Sequence, residues 1–427
     1  MGVHTDLDAR ARDILAKNDR GGFTVPTAKL YPYQWNWDST FVALGFATFD
    51  RERAWQELEM LVAGQWPEGM IPHILFRRDD PDYFPGPQTW RAHDGPIPSG
   101  GISQPPVLAS VMLELVQTGR SSDKSKADAL FDAALLWHRW WHTARTPKGE
   151  AFIATVHPWE SGRDNCPDWD LGLNAMNVDP ELEPYTRMDN KHAKPEQRPT
   201  DIEYDKFITI VKAGRDLNWD QTRLTNEGPF LMADPGLHFI LLRADRDLLA
   251  LAHLLGRAEA VAEIEGFIEK GQQGTDYLWN DRMKAFCARE VRSGEFSNGF
   301  SSASTLCFYA DSGTIEQRQG TLENIERIAK TVSFLMPSWD PDSYRFDPQR
   351  YWCGPVWPQM NRIIAKGLIE QGQYRLGDRV RRDLSALIRL SGFYECFNTL
   401  SGYGCIGRDF SWTAAMWLSW LADQEEV

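Results

Sequence analysis

Apolar residues recur at helical spacing again and again along this chain, and almost nowhere at the two-residue spacing of a half-buried strand. Val107, Leu108, Val111, Met112, Leu115 and Val116 share one face, as do Leu130, Ala134, Trp137 and Trp141, and then Leu241, Leu248, Leu251 and Leu255. The same period is read near 5–17, 51–64, 258–279, 317–334, 355–371, 374–390 and 410–422. About ten to twelve helices, mostly in consecutive pairs, can bury their apolar stripes only against one another, as a solenoid, a bundle or a closed ring. A solenoid needs a fixed-period repeat, and none is visible. The expected fold is therefore all-α, a toroid of paired helices whose long loops form one face. No composition shift marks a linker, so residues 1–427 read as one domain with loop excursions at about 65–103 and 145–235.

What those loops contain is more informative than the helices. The chain has 18 tryptophans, about three times ordinary usage, and many lie in Gly- and Pro-rich segments beside Asp, Tyr and Gln. Indole faces stack on the C–H face of a sugar ring while carboxylates bond its hydroxyls. The densest such segment runs His157-Pro158-Trp159-Glu160-Ser161-Gly162-Arg163-Asp164-Asn165-Cys166-Pro167-Asp168-Trp169-Asp170, with four carboxylates and two tryptophans. Its bland reading is a solvated acidic loop over tucked-in tryptophans.

Further segments repeat the theme. Trp35, Trp37 and Asp38 either wall a sugar subsite or plug and cap a helix end. Gln104, in Gly100-Gly101-Ile102-Ser103-Gln104-Pro105-Pro106, either bonds substrate or caps the helix that follows. Arg198 with Tyr204 suits a carboxylate or phosphate through a guanidinium fork plus a phenol, and a surface ion pair would explain Arg198 equally well. Tyr351, Trp352 and Trp357 lie in another aromatic, proline-rich run before a helix. Glu395 stands between Tyr394 and Phe397 after an apolar helix, so it is expected to be buried and its charge needs a reason.

A ring would bring Glu395 back to the 157–170 segment. Two carboxyls in a tryptophan-lined pocket suit glycoside hydrolysis, one protonating the leaving oxygen and the other deprotonating water. No Gly-rich phosphate loop, GxSxG elbow or HExxH motif offers a competing chemistry. His73 reads as a core residue, and His73, His93 and His157 make no convincing acid–base set. No metal-ligand spacing is seen, and neither metal nor cofactor is expected.

The net charge of −14 disfavours nucleic acid and acidic membrane surfaces as partners, and it requires a local Arg or Lys if the substrate is an anion. The six cysteines show no CxxC spacing, which fits reduced thiols in the cytoplasm. The charged segment Met1–Arg12 has no apolar h-region, and no apolar run is long enough to span a bilayer.

In this order, from Leu30-Tyr31-Pro32 to Phe410-Ser411-Trp412-Thr413, the segments resemble bacterial members of glycoside hydrolase family 63, among them the mannosylglycerate and glucosylglycerate hydrolases. The resemblance implies an (α/α)6 barrel and an inverting mechanism releasing hexose and glycerate from 2-O-α-mannosyl- or glucosyl-D-glycerate. It implies Asp164 as general acid and Glu395 as general base. It sets Tyr31, Trp35, Trp37, Asp38, Trp159, Trp352 and Trp357 around the hexose, and Tyr83, Gln104, Arg198, Tyr204 and Tyr351 around the glycerate. The partner is then a small anionic glycoside, with homo-oligomerisation left open. Two other readings stand beside it: trehalase-like or α-glucosidase activity on neutral oligosaccharides, and a non-catalytic sugar-binding protein. Glu160 is an alternative proton carrier, and the raised pKa that an acid working near neutrality needs is expected from burial or from neighbouring carboxylates such as Glu160 or Asp168. The irregular segments 79–103 and 178–201 read as lids.

Overall fold

The computed structural model describes residues 2–80, 82–92 and 95–422, with the side chains of 2–6 outside the description; His93 lies outside the described residues. Twelve helices among the described residues build the ring. They are α1 (Gly2–Asn18), α2 (Asn36–Phe46), α3 (Arg51–Val62), α4 (Leu108–Thr118), α5 (Ser121–Ala144) and α6 (Pro235–Leu255). The second half contributes α7 (Ala258–Gly274), α8 (Leu306–Tyr309), α9 (Ile315–Ile328), α10 (Pro358–Glu370), α11 (Tyr374–Ser391) and α12 (Ser411–Met416).

The even-numbered helices form an inner ring in which each touches the next, α2 to α4 to α6 to α8 to α10 to α12 and back to α2. Most of the odd-numbered helices pack outside their even partners, giving the expected (α/α)6 arrangement. Burial follows position. Every residue of α2 is buried, as required of a helix covered on all sides, whereas outer α11 buries one stripe containing Leu376, Val380, Leu384, Leu387 and Ile388. The ring closes where Gly45 of α2 lies on Ala415 of α12; a Cβ on Gly45 would stand 2.7 Å from the Ala415 backbone. Asn18 Nδ2 adds a bond to Ser411 Oγ at 2.9 Å, tying the two ends of the chain together.

Loop lengths differ sharply between the two ends of the ring. The turns from an inner helix to its outer partner are short, at 47–50, 119–120, 256–257, 310–314 and 371–373. The returns from outer to inner are long, at 19–35, 63–107, 145–234, 275–305, 329–357 and 392–410, and all emerge at one end. The strands among the described residues are confined to these returns, as nine pieces of two to five residues in four small sheets. They pin loops and form no core layer. One of them corrects the expectation of an almost strand-free chain where it counts, because Glu395 lies on a strand and not on a helix end.

Candidate active site

The long returns enclose about 920 Å³ of empty space, open mouth included. All fourteen residues singled out from the sequence line it: Tyr31, Trp35, Trp37, Asp38, Tyr83, Gln104, Trp159, Asp164, Arg198, Tyr204, Tyr351, Trp352, Trp357 and Glu395.

Asp164 is delivered by the turn that follows the 3₁₀ helix Pro158–Ser161. Gly162 makes that turn with φ 69°, and a Cβ on it would stand 2.6 Å from the Trp37 ring, so both the conformation and the close approach demand glycine. Asp164 is half-buried. Burial pushes its pKa up to about 7, against the opposing pull of Arg198 and Tyr351.

Glu395 belongs to a hairpin of Tyr394–Phe397 and Gly404–Arg408, with a register irregularity between Tyr394 and Cys396. A bulge there re-aims the intervening side chain. Glu395 is fully buried; its Oε2 accepts the Gly407 N–H at 3.2 Å and its Oε1 accepts the Tyr31 hydroxyl at 3.1 Å. Burial pushes its pKa up to about 7 as well, with Arg198 opposing and the charge of Asp164 adding to the rise. Asp38, buried in the first turn of α2, is held well above the usual carboxylate range by burial and by Glu395 and Asp164.

The other three carboxylates of the 157–170 segment do something else. Glu160 is completely buried and takes two bonds from Arg145, both at 2.8 Å, with further bonds from the Ser103 and Val156 backbone N–H groups. Asp168 accepts from Arg163 at 2.6 Å and from Ser297 at 2.9 Å, and Arg163 reaches Asp234 at 2.7 Å. Asp170 is paired with Arg345 at 2.8 and 3.0 Å. Each is neutralised by an arginine and none lines the cavity. Of the two expected sources of the raised pKa of Asp164, burial is the one that acts, and Glu160 and Asp168 are not among its causes.

Arg198 is buried at the wall. Its Nε donates to Asp189 at 2.9 Å, its Nη1 to the Tyr31 hydroxyl at 2.8 Å, and its guanidinium lies 4.3 Å from the Tyr351 ring centroid. Asp189 also takes Arg187 at 2.7 and 3.1 Å, and the Arg187 guanidinium stands 4.4 Å from the Tyr204 ring centroid. Burial alone would raise Asp189, but the two guanidiniums outweigh it and bring it down to about 2. Arg187 also pairs with Asp201 at 3.0 Å, so two aspartates balance two arginines, and the cation the cavity meets, in a protein that is strongly acidic overall, is the Arg198 guanidinium itself.

Aromatic rings supply the rest of the wall. Trp352 and Trp357 stack 3.9 Å apart at 7°, and Trp37 lies against Trp352 at 6.3 Å and 29°. Gln104 Oε1 accepts the Trp37 backbone N–H at 3.4 Å, so it serves the start of α2 and not the helix after its own prolines. The Tyr204 hydroxyl is spent on the Phe84 carbonyl at 3.3 Å. The segments expected to be lids meet above the cavity, where Phe84 and Tyr185 stack at 4.8 Å and 5°.

Sequence reasoning passed over several lining residues, among them Asp189 and Trp412, and read His73, which also lines the cavity, as a core residue. His73 is buried against Trp90, and burial lowers its pKa to about 3, which keeps it neutral. The readable signal for Asp189 was its place between Arg187 and Arg198 in the polar excursion 178–201, read only as a lid.

A six-fold ring of helix pairs, with two raised carboxyls facing one tryptophan-lined cavity, defines a glycoside hydrolase of the helical-barrel class. A yeast neutral trehalase shares this fold (TM-score 0.57, 17% identity, 92% of this chain and 72% of that one). The family profile for the mannosylglycerate hydrolase MGH1-like glycoside hydrolase domain matches residues 31–413. A mannosylglycerate hydrolase of Thermus thermophilus is 42% identical over 417 residues, 96% of this chain and 99% of its own. A glucosylglycerate hydrolase of Mycolicibacterium hassiacum is 31% identical over 441 residues, 98% of each. The crystal structure of a family 63 mannosylglycerate hydrolase from Thermus thermophilus in complex with Tris and D-glycerate superposes with TM-score 0.93 at 40% identity, covering 97% of this chain and 99% of that one. The chain belongs to the MGH1-like glycoside hydrolases.

Proposed function

We propose that this enzyme hydrolyses 2-O-α-mannosyl- or 2-O-α-glucosyl-D-glycerate to free hexose and glycerate with inversion, Asp164 acting as general acid and Glu395 as general base. Asp164, held protonated near neutrality, gives its proton to the glycosidic oxygen. Glu395, across the cavity, takes a proton from the water that attacks the anomeric carbon on the opposite face. Indole faces of Trp37 and Trp352 carry the sugar ring, and Asp38 bonds its hydroxyls. The observation that carries the substrate assignment is Arg198. With Nε and Nη1 committed to Asp189 and Tyr31, its Nη2 is left for a carboxylate. A neutral aglycone offers that Nη2 no charged acceptor, whereas glycerate supplies a carboxylate oxygen.

The reading extends to the whole chain as one catalytic domain, supported by ring closure between α2 and α12, and to a cytoplasmic location, supported by six free, buried cysteines. Among the described residues no helix is long and apolar enough to cross a membrane.

A substrate panel tests the assignment. The purified protein should release hexose from mannosylglycerate or glucosylglycerate, the first-formed sugar should be the β-anomer, and kcat/KM for trehalose should be lower by about 10²-fold or more, the cost of a buried charged donor left without its acceptor. Equal or better turnover of trehalose would reverse it.

The pH dependence follows from the carboxyl pair. The working state needs Asp164 protonated, which is lost as pH rises, and Glu395 ionised, which is lost as pH falls. With both raised to about 7, kcat/KM should trace a narrow bell centred near neutrality. A broad plateau extending from about two units below neutrality to two units above it, measured by initial rates, would contradict these environments.

A further inference from the structure

The excursion 178–201 carries a charge arrangement that the hydrolysis itself does not use. Arg198, whose Nη2 is left for the substrate carboxylate, already has a counter-ion. Among the described residues its one ion pair is with Asp189, Nε to Oδ2 at 2.9 Å. Asp189 opens a short 3₁₀ turn, Asp189–Lys191, is buried, and lines the same cavity. Both of its oxygens also accept from Arg187, at 2.7 and 3.1 Å. Arg187 is tied in turn to the Pro199 carbonyl at 2.7 Å and to Asp201 at 3.0 Å.

A guanidinium bonded through Nε to one carboxylate and through Nη2 to another holds two like charges on a single planar group. Such charges repel strongly where water is excluded. The Asp189 charge therefore lowers the affinity of Arg198 for any anion, while its bond fixes where the guanidinium points. Arg187 works in the opposite sense, offsetting part of the Asp189 charge. The reaction gives this balance a purpose. Hydrolysis of a glycerate glycoside releases a neutral hexose and leaves the whole charge on the other product. A site that met the carboxylate with an unopposed cation would hold glycerate as firmly as it holds substrate.

Resting on the reading of Arg198 as the carboxylate-binding group, we propose that Asp189 is a specificity-determining residue that acts through Arg198. It competes with the glycerate carboxylate for the guanidinium charge and so sets an affinity weak enough for the product to leave. Asp189 exchanges no proton in the reaction, and the two guanidiniums bonded to it keep it ionised where the carboxyl pair works. A plain structural tie would behave differently. If Asp189 only held Arg198 in place, weakening their bond would weaken glycerate binding. If it competes, removing its charge strengthens glycerate binding.

The test is Asp189→Asn, which keeps an oxygen to accept the Arg198 Nε–H and removes the charge. Dissociation constants of D-glycerate and of its uncharged analogue D-glyceramide are measured by calorimetry on the whole chain. Glycerate is expected to bind the variant at least about tenfold more tightly than the parent, with glyceramide changed by less than about threefold. Progress curves with mannosylglycerate should then flatten earlier through product inhibition. Weaker or unchanged glycerate binding, or an equal gain for glyceramide, would overturn the proposal. Arg187→Gln should move the ratio of the two constants the other way, by about threefold or more, and decides the matter if Asp189→Asn does not fold. An unchanged ratio there would count against the competing charge. Failure of the underlying reading is separately visible, as glycerate binding that Arg198→Met leaves unaltered.

Discussion

Asp164→Asn and Glu395→Gln are each expected to lower kcat by about 10²- to 10⁴-fold, the range for losing a positioned acid or base. Both substitutions keep volume and hydrogen-bonding shape. Neither should cost stability, because each removes an ionisable group that burial disfavours in its charged form. The sign follows from the raised values: above about pH 7 the folded state carries both charges at a cost that the unfolded chain does not have. Glu160→Gln gives the opposite signature. It leaves Arg145 buried without its counter-ion, and breaking such a pair costs about 3–5 kcal/mol. Its effect should be read in the melting temperature as much as in kcat. Thermal melts and initial rates on the three variants separate the roles, and a fully active Asp164→Asn would end the assignment.

Replacing Arg198 by Met should lower kcat/KM for the glycerate glycosides by about 30- to 1,000-fold, since truncating one partner of a buried charge pair costs about 2–4 kcal/mol. A neutral α-glycoside should lose less, by the part that depends on Arg198 holding Tyr31 against Glu395. The discriminating quantity is the ratio of the two losses, together with the inhibition constant for free glycerate, which should rise in parallel. Equal losses on charged and neutral substrates would mean that Arg198 serves only to position Tyr31. Arg187 remains to neutralise Asp189 in this variant, so the fold should tolerate the change.

Much of this site was legible in the chain because its chemistry is carried by residue types that loops rarely collect for other reasons. Trp35, Trp159, Trp352 and Trp357 fall in segments unsuited to long packing helices, Trp37 stands in the first turn of α2, and all five line the cavity. The helices were legible for a different reason. An outer helix such as α11 must show one apolar stripe, whereas inner α2 is buried on every side, with polar Asn36, Asp38, Ser39 and Thr40 in its first half and a continuous apolar run from Phe41. The strand under Glu395 was not legible. A few residues are too few to show a period, and the pairing that makes Tyr394–Phe397 a strand comes from Gly404–Arg408 across a turn.

Periodicity and the tryptophan-rich loops pointed to a ring with one loop-bearing face, and the resemblance of those segments, in their order, to glycoside hydrolase family 63 supplied the set of residues that meet there. The chemical state of each carboxyl was settled by folding alone. Glu160, Asp164, Asp168 and Asp170 are equivalent as text, but Arg145, Arg163 and Arg345 meet three of them and leave Asp164 at the cavity. Whether a carboxylate keeps its charge depends on which dipoles and guanidiniums surround it and on how much water it loses. Those neighbours are set by the packing of distant segments around the ring and not by adjacency along the chain.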